Sequence, residues 1–120
     1  MKYMLLIYGN SEAWSSIPPD EWRRILDETD AHNRELFESG ELVGAWGVGE
    51  PVDTKVVRVE DGERVVTDGP FLETKEYLGS FTIVDVDSLG RALEIAAANP
   101  SARLGGIEVK PLVTEADLDL

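Results

Sequence analysis

The stretch KYMLLIY, residues 2–8, decides the fold of this chain. Successive side chains of a β-strand point to opposite faces, and both alternating sets are apolar here. One set is Tyr3, Leu5 and Ile7, and the other is Met4, Leu6 and Tyr8. A strand of this kind needs cover on both sides, so the sheet that contains it must be buried on both faces.

The rest of the chain is expected to form a single domain with this strand. Its 120 residues, 42% of them hydrophobic, are enough for one core and too few for two. No repeat, low-complexity tract or linker divides the sequence. We expect one domain over residues 1–112, followed by a C-terminal tail over residues 113–120.

Charge and cysteine content restrict the partners and the compartment. The 24 acidic and 11 basic residues give a formal net charge of −13, which repels phosphate backbones and anionic lipid headgroups. Binding to nucleic acid or to a membrane surface is therefore disfavoured. The apolar run near the N-terminus is too short to span a bilayer or to act as a signal peptide, and there is no cysteine. These features indicate a cytoplasmic protein.

Local signals place two helices in the chain. The longer one begins near Pro19, because proline suits a first helical position, and it ends at Gly40. The second has Asp87 or Ser88 as its N-cap and ends before Pro100.

Strand patterns fill the rest of the sequence. The Asp61-Gly62 step predicts a type I′ hairpin turn, which needs positive φ at both central residues. The expected strands are residues 41–49, the hairpin strands 54–59 and 64–67, and residues 79–86 and 106–112.

The order of elements is strand, helix, strand, hairpin, strand, helix, strand. The ferredoxin-like α+β plan, an antiparallel sheet with two helices on one face, accommodates this order with an extra β-hairpin. One face of such a sheet lacks cover, whereas the strand at residues 2–8 is apolar on both faces. We therefore expect a homodimer whose sheets face each other, a dimeric α/β barrel.

The long helix carries a polar break in its apolar stripe. The apolar residues that share one face at helical spacing are Trp22, Ile25, Leu26, Leu36 and Phe37. The middle turn of that face is Thr29 and Asn33, with Asp30 and His32 on its flanks. Because an unpaired buried polar group costs on the order of 1–3 kcal/mol, either water reaches this turn or a site lies beneath it.

His32 is the only histidine of the chain. Histidine is the side chain most readily used for proton transfer near neutral pH. One interpretation makes it a general acid or base, with Asp68 as the first choice of carboxylate partner and Asp30 as the second. The other interpretation is a partly exposed histidine at the rim of the helix stripe.

The segment DGPFLETKEYLG, residues 68–79, connects two predicted strands. A turn explains its first half, because the Asp68 carboxylate can accept backbone N–H groups two residues on while Phe71 anchors the loop in the core. A loop that lines a pocket is the alternative. Glu73 and Lys75 form either a solvated charged run or ligand contacts, and Lys75 suits an anionic group.

This segment also carries a family resemblance. The run from Val66 to Leu112, together with the opening MKYMLLIYG, resembles the YCII-related proteins of the DGPF type, which are named for residues 68–71. The resemblance covers essentially the whole chain and implies a dimeric α/β barrel of the ferredoxin-like kind. No reaction is assigned to proteins of this type. The resemblance implies an association with extracytoplasmic-function sigma factor systems. It also makes Glu73, Thr74 and Lys75 candidate ligand contacts. A related branch is thought to use a His and Asp pair.

We expect the protein to bind a small organic molecule between the sheet and the long helix, near the dimer interface. Any turnover would be acid–base catalysis by His32 and Asp68 without a metal or other cofactor, since no metal-ligand spacing occurs. The candidate ligand contacts are Thr29, Asn33, Trp46, Phe71, Glu73, Thr74 and Lys75. The alternatives are a non-catalytic regulatory or interaction module linked to a sigma factor, and a stable dimer whose loop is purely structural.

Overall fold

An antiparallel sheet with helices against one face forms the centre of the molecule. The computed structural model describes residues 1–118. Its strands, numbered along the chain, are β1 Lys2–Gly9, β2 Leu42–Gly47, β3 Lys55–Glu60, β4 Glu63–Asp68, β5 Tyr77–Asp85 and β6 Ile107–Pro111. Its helices are α1 Ser11–Ser15, α2 Pro19–Glu38 and α3 Leu89–Ala98, and short 3-10 turns span Pro51–Asp53 and Pro100–Arg103.

The strand order of the main sheet is β2-β5-β1-β6, with every neighbouring pair antiparallel. In the middle of the sheet, Leu5 of β1 sits opposite Thr82 of β5 and Val109 of β6. This order, with α2 and α3 between the strands, is the ferredoxin-like arrangement, so the predicted ferredoxin-like α+β fold is confirmed.

The core lies between this sheet and the helices α2 and α3. Its buried members come from β1, α2, α3, β5 and the residue that follows β5, and Leu5, Val84 and Ile95 are the largest fully buried side chains. Burial of a side chain of this size stabilises the fold by roughly 1.5–3 kcal/mol. The packed set is Tyr3, Leu5, Leu36, Val84, Val86, Ala92, Ile95 and Ala96.

The apolar stripe predicted for α2 is only partly buried. Ile25 and Leu36 are buried, whereas Trp22 and Leu26 are partly exposed and Phe37 is 72% exposed. A helix of 20 residues is about 30 Å long, and only part of such a length can lie on a small core. Trp22 and Leu26 face a cavity instead, which is described below.

The extra hairpin is confirmed as a separate two-stranded ribbon of β3 and β4. Its turn has positive φ at Asp61 (51°) and Gly62 (78°), as a type I′ turn requires. In the chain that the structure describes, these two strands pair with each other and not with the main sheet. One face of the ribbon therefore exposes Val57, Val59 and Val66.

Helix α1 was not predicted from the sequence. It has five residues and begins after Asn10, whose side-chain oxygen accepts a hydrogen bond from the Ala13 N–H at 2.7 Å. Such a short helix has no room for a hydrophobic period, so pattern analysis does not detect it. The predicted ends of the other elements agree better: Pro19 begins α2, Ser88 caps α3, and Gly40 has the positive φ of 80° expected after a helix.

The C-terminal tail is described as far as residue 118, and the rest of the predicted segment 113–120 lies outside the described residues. The Thr114 N–H donates to the Asp117 carboxylate at 2.7 Å, which makes a short turn. Over residues 1–118, no helix combines the length and the apolar character that a membrane-crossing segment requires.

Candidate functional site

A cavity of about 540 Å³, here called the helix cavity, lies between the sheet and the N-terminal half of α2. Helix α1 and the turn at Pro100–Arg103 border it. Its apolar walls include Trp14, Trp22, Ile25 and Leu26. Its polar lining residues are Asn10, Thr29, Glu76, Ser80 and Ser101.

Trp14 forms one wall of this cavity because two glycines leave room for its ring. A Cβ atom built on Gly9 or on Gly79 would lie 2.6 Å from the nearest atom of that ring. The ring also makes an edge-to-face contact with Tyr77, with ring centroids 5.6 Å apart and planes at 90°. The position of Trp14 therefore depends on the lack of side chains at these two strand positions.

The polar break of α2 is divided between two environments. Thr29 lines the helix cavity, and its hydroxyl donates to the Ile25 carbonyl oxygen at 2.7 Å within the helix. His32 and Asn33 do not line it. His32 Nε2 and Asn33 Oδ1 are buried and have no hydrogen-bond partner among the described residues.

The surroundings of His32 favour its neutral form. Burial lowers the pKa of His32, and the nearby Arg91 guanidinium lowers it further, while Glu35 and the Ile95 backbone act in the opposite direction. The groups that act on this histidine thus come from α2 and α3.

Asp68 lies elsewhere, at the end of β4. Its carboxylate accepts a hydrogen bond from Lys55 Nζ at 2.5 Å, and its side chain is 86% exposed. This ion pair lowers the pKa of Asp68. The structure therefore does not bring His32 and Asp68 together. Asp68 pairs with Lys55 across the hairpin. The predicted bond to the N–H two residues on cannot form, because residue 70 is proline.

The DGPF segment borders a second cavity of about 630 Å³, here called the loop cavity. Phe71 and Thr74 are the predicted ligand contacts that line it, together with Glu50 and Tyr77. The expected burial of Phe71 in the core is wrong, because the side chain is 73% exposed. The Arg58 guanidinium stacks over its ring at 5.1 Å from the centroid, which is a cation–π contact.

The remaining predicted contacts lie outside both cavities. Trp46 packs over Gly44 and beside Phe81, with ring centroids 5.3 Å apart. Glu73 and Lys75 are exposed and border neither cavity, as a solvated charged run would be. Within residues 1–118, no three His, Cys, Asp or Glu side chains are grouped so that they could hold a metal ion.

Ser11, Glu50 and Tyr77 form a hydrogen-bonded cluster that the sequence did not predict. The Tyr77 hydroxyl donates to Glu50 Oε2 at 2.6 Å, and the backbone N–H of Ser11 donates to the Tyr77 oxygen at 2.9 Å. The three residues lie at the start of α1, before the turn at Pro51–Asp53 and at the start of β5. No local motif joins positions so far apart, so only the tertiary fold reveals them.

The chain is similar to one protein family and to a bacterial protein over nearly its whole length. The family model described as "YCII-related domain" matches residues 1–115. An uncharacterized protein of Rhizobium meliloti (strain 1021) is 35% identical over 116 residues, which cover 93% of this chain and 92% of that protein.

A solved structure shares the fold at much lower identity. It is the 5-chloro-2-hydroxyhydroquinone dehydrochlorinase of Burkholderia phenoliruptrix, in complex with 2,5-dihydroxybenzoquinone. The match has a TM-score of 0.50 at 13% identity and covers 94% of each chain. The match over residues 1–115 and the relative at 35% identity together show that this chain belongs to the YCII-related family.

Proposed function

We propose that the protein binds a small organic molecule in the helix cavity. The observation that carries this proposal is the cavity itself: its volume of about 540 Å³ lies within the roughly 300–1,000 Å³ typical of ligand sites. Aromatic and aliphatic walls with a few polar groups among them are also typical of such sites. The dehydrochlorinase of similar fold was solved with a small organic molecule, which is consistent with this proposal.

The lining of the cavity indicates which ligands it favours. The Thr29 hydroxyl already donates its proton within the helix, so its oxygen remains available as an acceptor for a donor group of the ligand. Glu76 contributes a carboxylate, and no Lys, Arg or His is among the described lining residues. A neutral, mainly apolar ligand with a hydrogen-bond donor suits this lining better than an anion.

Tryptophan fluorescence provides a direct test. Trp14 and Trp22 line the helix cavity and Trp46 does not, so a Trp46→Phe protein reports on the cavity alone. A panel of neutral and charged small organic molecules is first screened by thermal shift. We expect each true ligand to change the fluorescence of the Trp46→Phe protein. The dissociation constant obtained from this change should equal the one obtained from the thermal shift.

A matched pair of variants then locates the ligand. Trp22→Ala removes a cavity wall, and we expect it to weaken binding by roughly tenfold or more. Phe37→Ala removes an aromatic ring from the same helix, but Phe37 borders neither cavity, and it should change the affinity less than about twofold. The helix cavity would be ruled out as the site if the two variants changed the affinity equally, or if Trp22→Ala weakened the binding of no ligand.

We also propose that a second copy of the chain covers the outer face of the main sheet. This face carries apolar side chains on three strands, namely Met4, Leu6, Tyr8, Trp46, Phe81 and Ile83. The radius of gyration is 17.0 Å, against about 13.6 Å for a compact chain of this length. An isolated ribbon such as β3–β4 is marginal in water, so its exposed valine face also favours a partner.

The oligomeric state tests the homodimer. We expect light scattering after size exclusion to give twice the chain mass, and Trp46→Glu to give the mass of one chain, because a charge in a buried interface is costly. Leu89→Glu is the control, since Leu89 is about as exposed but lies on α3. A wild-type monomer at micromolar concentration would disprove the homodimer.

The regulatory alternative linked to sigma factors stays a prediction from the family resemblance.

A further inference from the structure

The carboxylate of Glu50 is held in one orientation by groups from two other parts of the chain. Its Oε2 atom accepts the hydroxyl proton of Tyr77 at 2.6 Å and a longer hydrogen bond from Ser11 Oγ at 3.3 Å. Its other oxygen, Oε1, accepts no hydrogen bond from residues 1–118. One oxygen of this carboxylate is thus fixed and the other remains available.

Tyr77 is itself fixed by three contacts. Its oxygen accepts the Ser11 N–H at 2.9 Å, and the Ser11 hydroxyl lies 2.6 Å away. Its ring lies perpendicular to the ring of Trp14. The phenol proton is directed toward Glu50 Oε2, because a carboxylate oxygen accepts a hydrogen bond and has no proton to donate. A carboxylate oriented by a third group is the arrangement found in general acid–base sites.

Glu50 and Tyr77 both line the loop cavity, whose other walls are largely apolar. Phe71, Leu72 and Leu78 are among these walls. The charged residues in the described lining are Glu50, Asp53 and Glu76, all acidic. An anion would be repelled here, whereas an uncharged apolar molecule would contact the walls and approach Glu50 Oε1.

We infer that Glu50 accepts a proton from ligands in the loop cavity, with Tyr77 and Ser11 as positioning residues. The site would take an uncharged, largely apolar molecule that carries a weakly acidic C–H or O–H proton. The inference does not rest on ligand binding in the helix cavity, because Glu50 and Tyr77 line the loop cavity only.

Base-promoted ring opening of nitrobenzisoxazole tests this inference, because the probe is neutral, flat and needs no cofactor. The Glu50 carboxylate takes the C–H proton next to the ring nitrogen, and the electron pair of that bond completes a nitrile. The N–O bond breaks, its oxygen leaves as a coloured phenolate, and the proton then passes from Glu50 to water. The absorbance of the phenolate follows the reaction.

We expect the 120-residue protein to show a saturable rate that exceeds the rate of the same reaction in free glutamate at equal concentration. A general base typically contributes 10²–10⁴-fold, so Glu50→Gln should lower kcat/KM by roughly tenfold or more. Glu12→Gln makes the same charge change beside Ser11 at a residue that borders neither cavity, and it should stay within about twofold of wild type.

Tyr77→Phe separates positioning from folding, since phenylalanine keeps the ring against Trp14 and removes only the hydroxyl. We expect kcat to fall several-fold with KM and the melting temperature nearly unchanged. Ser11→Ala should have a smaller effect, because the backbone N–H of residue 11 still donates to the Tyr77 oxygen at 2.9 Å. A wild-type rate no higher than free glutamate, or equal rates for wild type and Glu50→Gln, would overturn the inference.

Discussion

The sharpest prediction concerns Gly79, on which the ring of Trp14 rests. A Cβ atom at this position would lie 2.6 Å from Cη2 and 2.9 Å from Cζ2 of Trp14, closer than such atoms can approach. The φ angle of Gly79 is not in the left-handed region, so Gly79→Ala adds a steric conflict with the ring and no backbone strain. The substitution therefore tests the packing of Trp14 and little else.

The magnitude follows from two opposing effects. Overpacking of this kind costs typically 1–3 kcal/mol, and replacing a strand glycine by alanine returns about 0.4–1 kcal/mol by restricting the unfolded chain. The net loss in the free energy of unfolding should be about 1–2 kcal/mol, or roughly 4–8 °C in Tm for a domain of this size. Gly47→Ala is the matched control, because its Cβ atom would meet only the Gly79 carbonyl oxygen at 4.0 Å.

Urea unfolding followed by circular dichroism measures both variants at one protein concentration. The decisive comparison repeats Gly79→Ala in a Trp14→Ala background, where the conflict is gone and the added methyl group should be neutral or stabilising. A loss of the same size in both backgrounds would refute the steric argument. A Gly79→Ala protein as stable as Gly47→Ala would refute it as well.

Three further predictions concern the core and two titrating groups. Ile95→Ala should lower the free energy of unfolding by about 2–5 kcal/mol in urea titrations, because the side chain is fully buried. Since the pKa of His32 is lowered on folding, stability should rise with pH between that lowered pKa and about 6.5, and His32→Gln should flatten this rise. The two hydrogen bonds from Arg91 lower the pKa of Glu41 to about 2. The stability that this ion pair contributes should therefore be present above about pH 4.5 and be lost as the pH falls toward 2. Glu41→Gln should remove this loss from the acid-unfolding curve.

The fold was predictable because its signals are local. The turn at Asp61-Gly62, the cap at Ser88 and the stop at Gly40 each depend on the conformation of one or two residues. The alternation of β1 then required a sheet with apolar residues on both faces. Such signals survive in the sequence because neighbouring residues generate them.

The candidate sites were less predictable because they depend on long-range packing. Phe71 is a large aromatic residue, and its type gave no sign that it would stack under Arg58 at the surface. The polar break drew attention to Thr29, which lines the helix cavity, since that signal lies within one helix. The contact between Tyr77 and Glu50 joins positions 27 residues apart, and no helical or strand period relates them.

A β-bulge at Gly79 explains why both cavities lie at this end of the sheet. Ile7 pairs with Ser80 while Tyr8 pairs with Leu78, so Gly79 is the extra residue of β5. A bulge bends its strand and redirects the side chains beside it, and here Tyr8 lines both cavities. The space above Gly79 admits the ring of Trp14, and that ring is a wall of the helix cavity and the support of Tyr77. Gly79→Ala should therefore disturb ligand binding in the helix cavity and proton transfer at Glu50 together, although it adds a single methyl group.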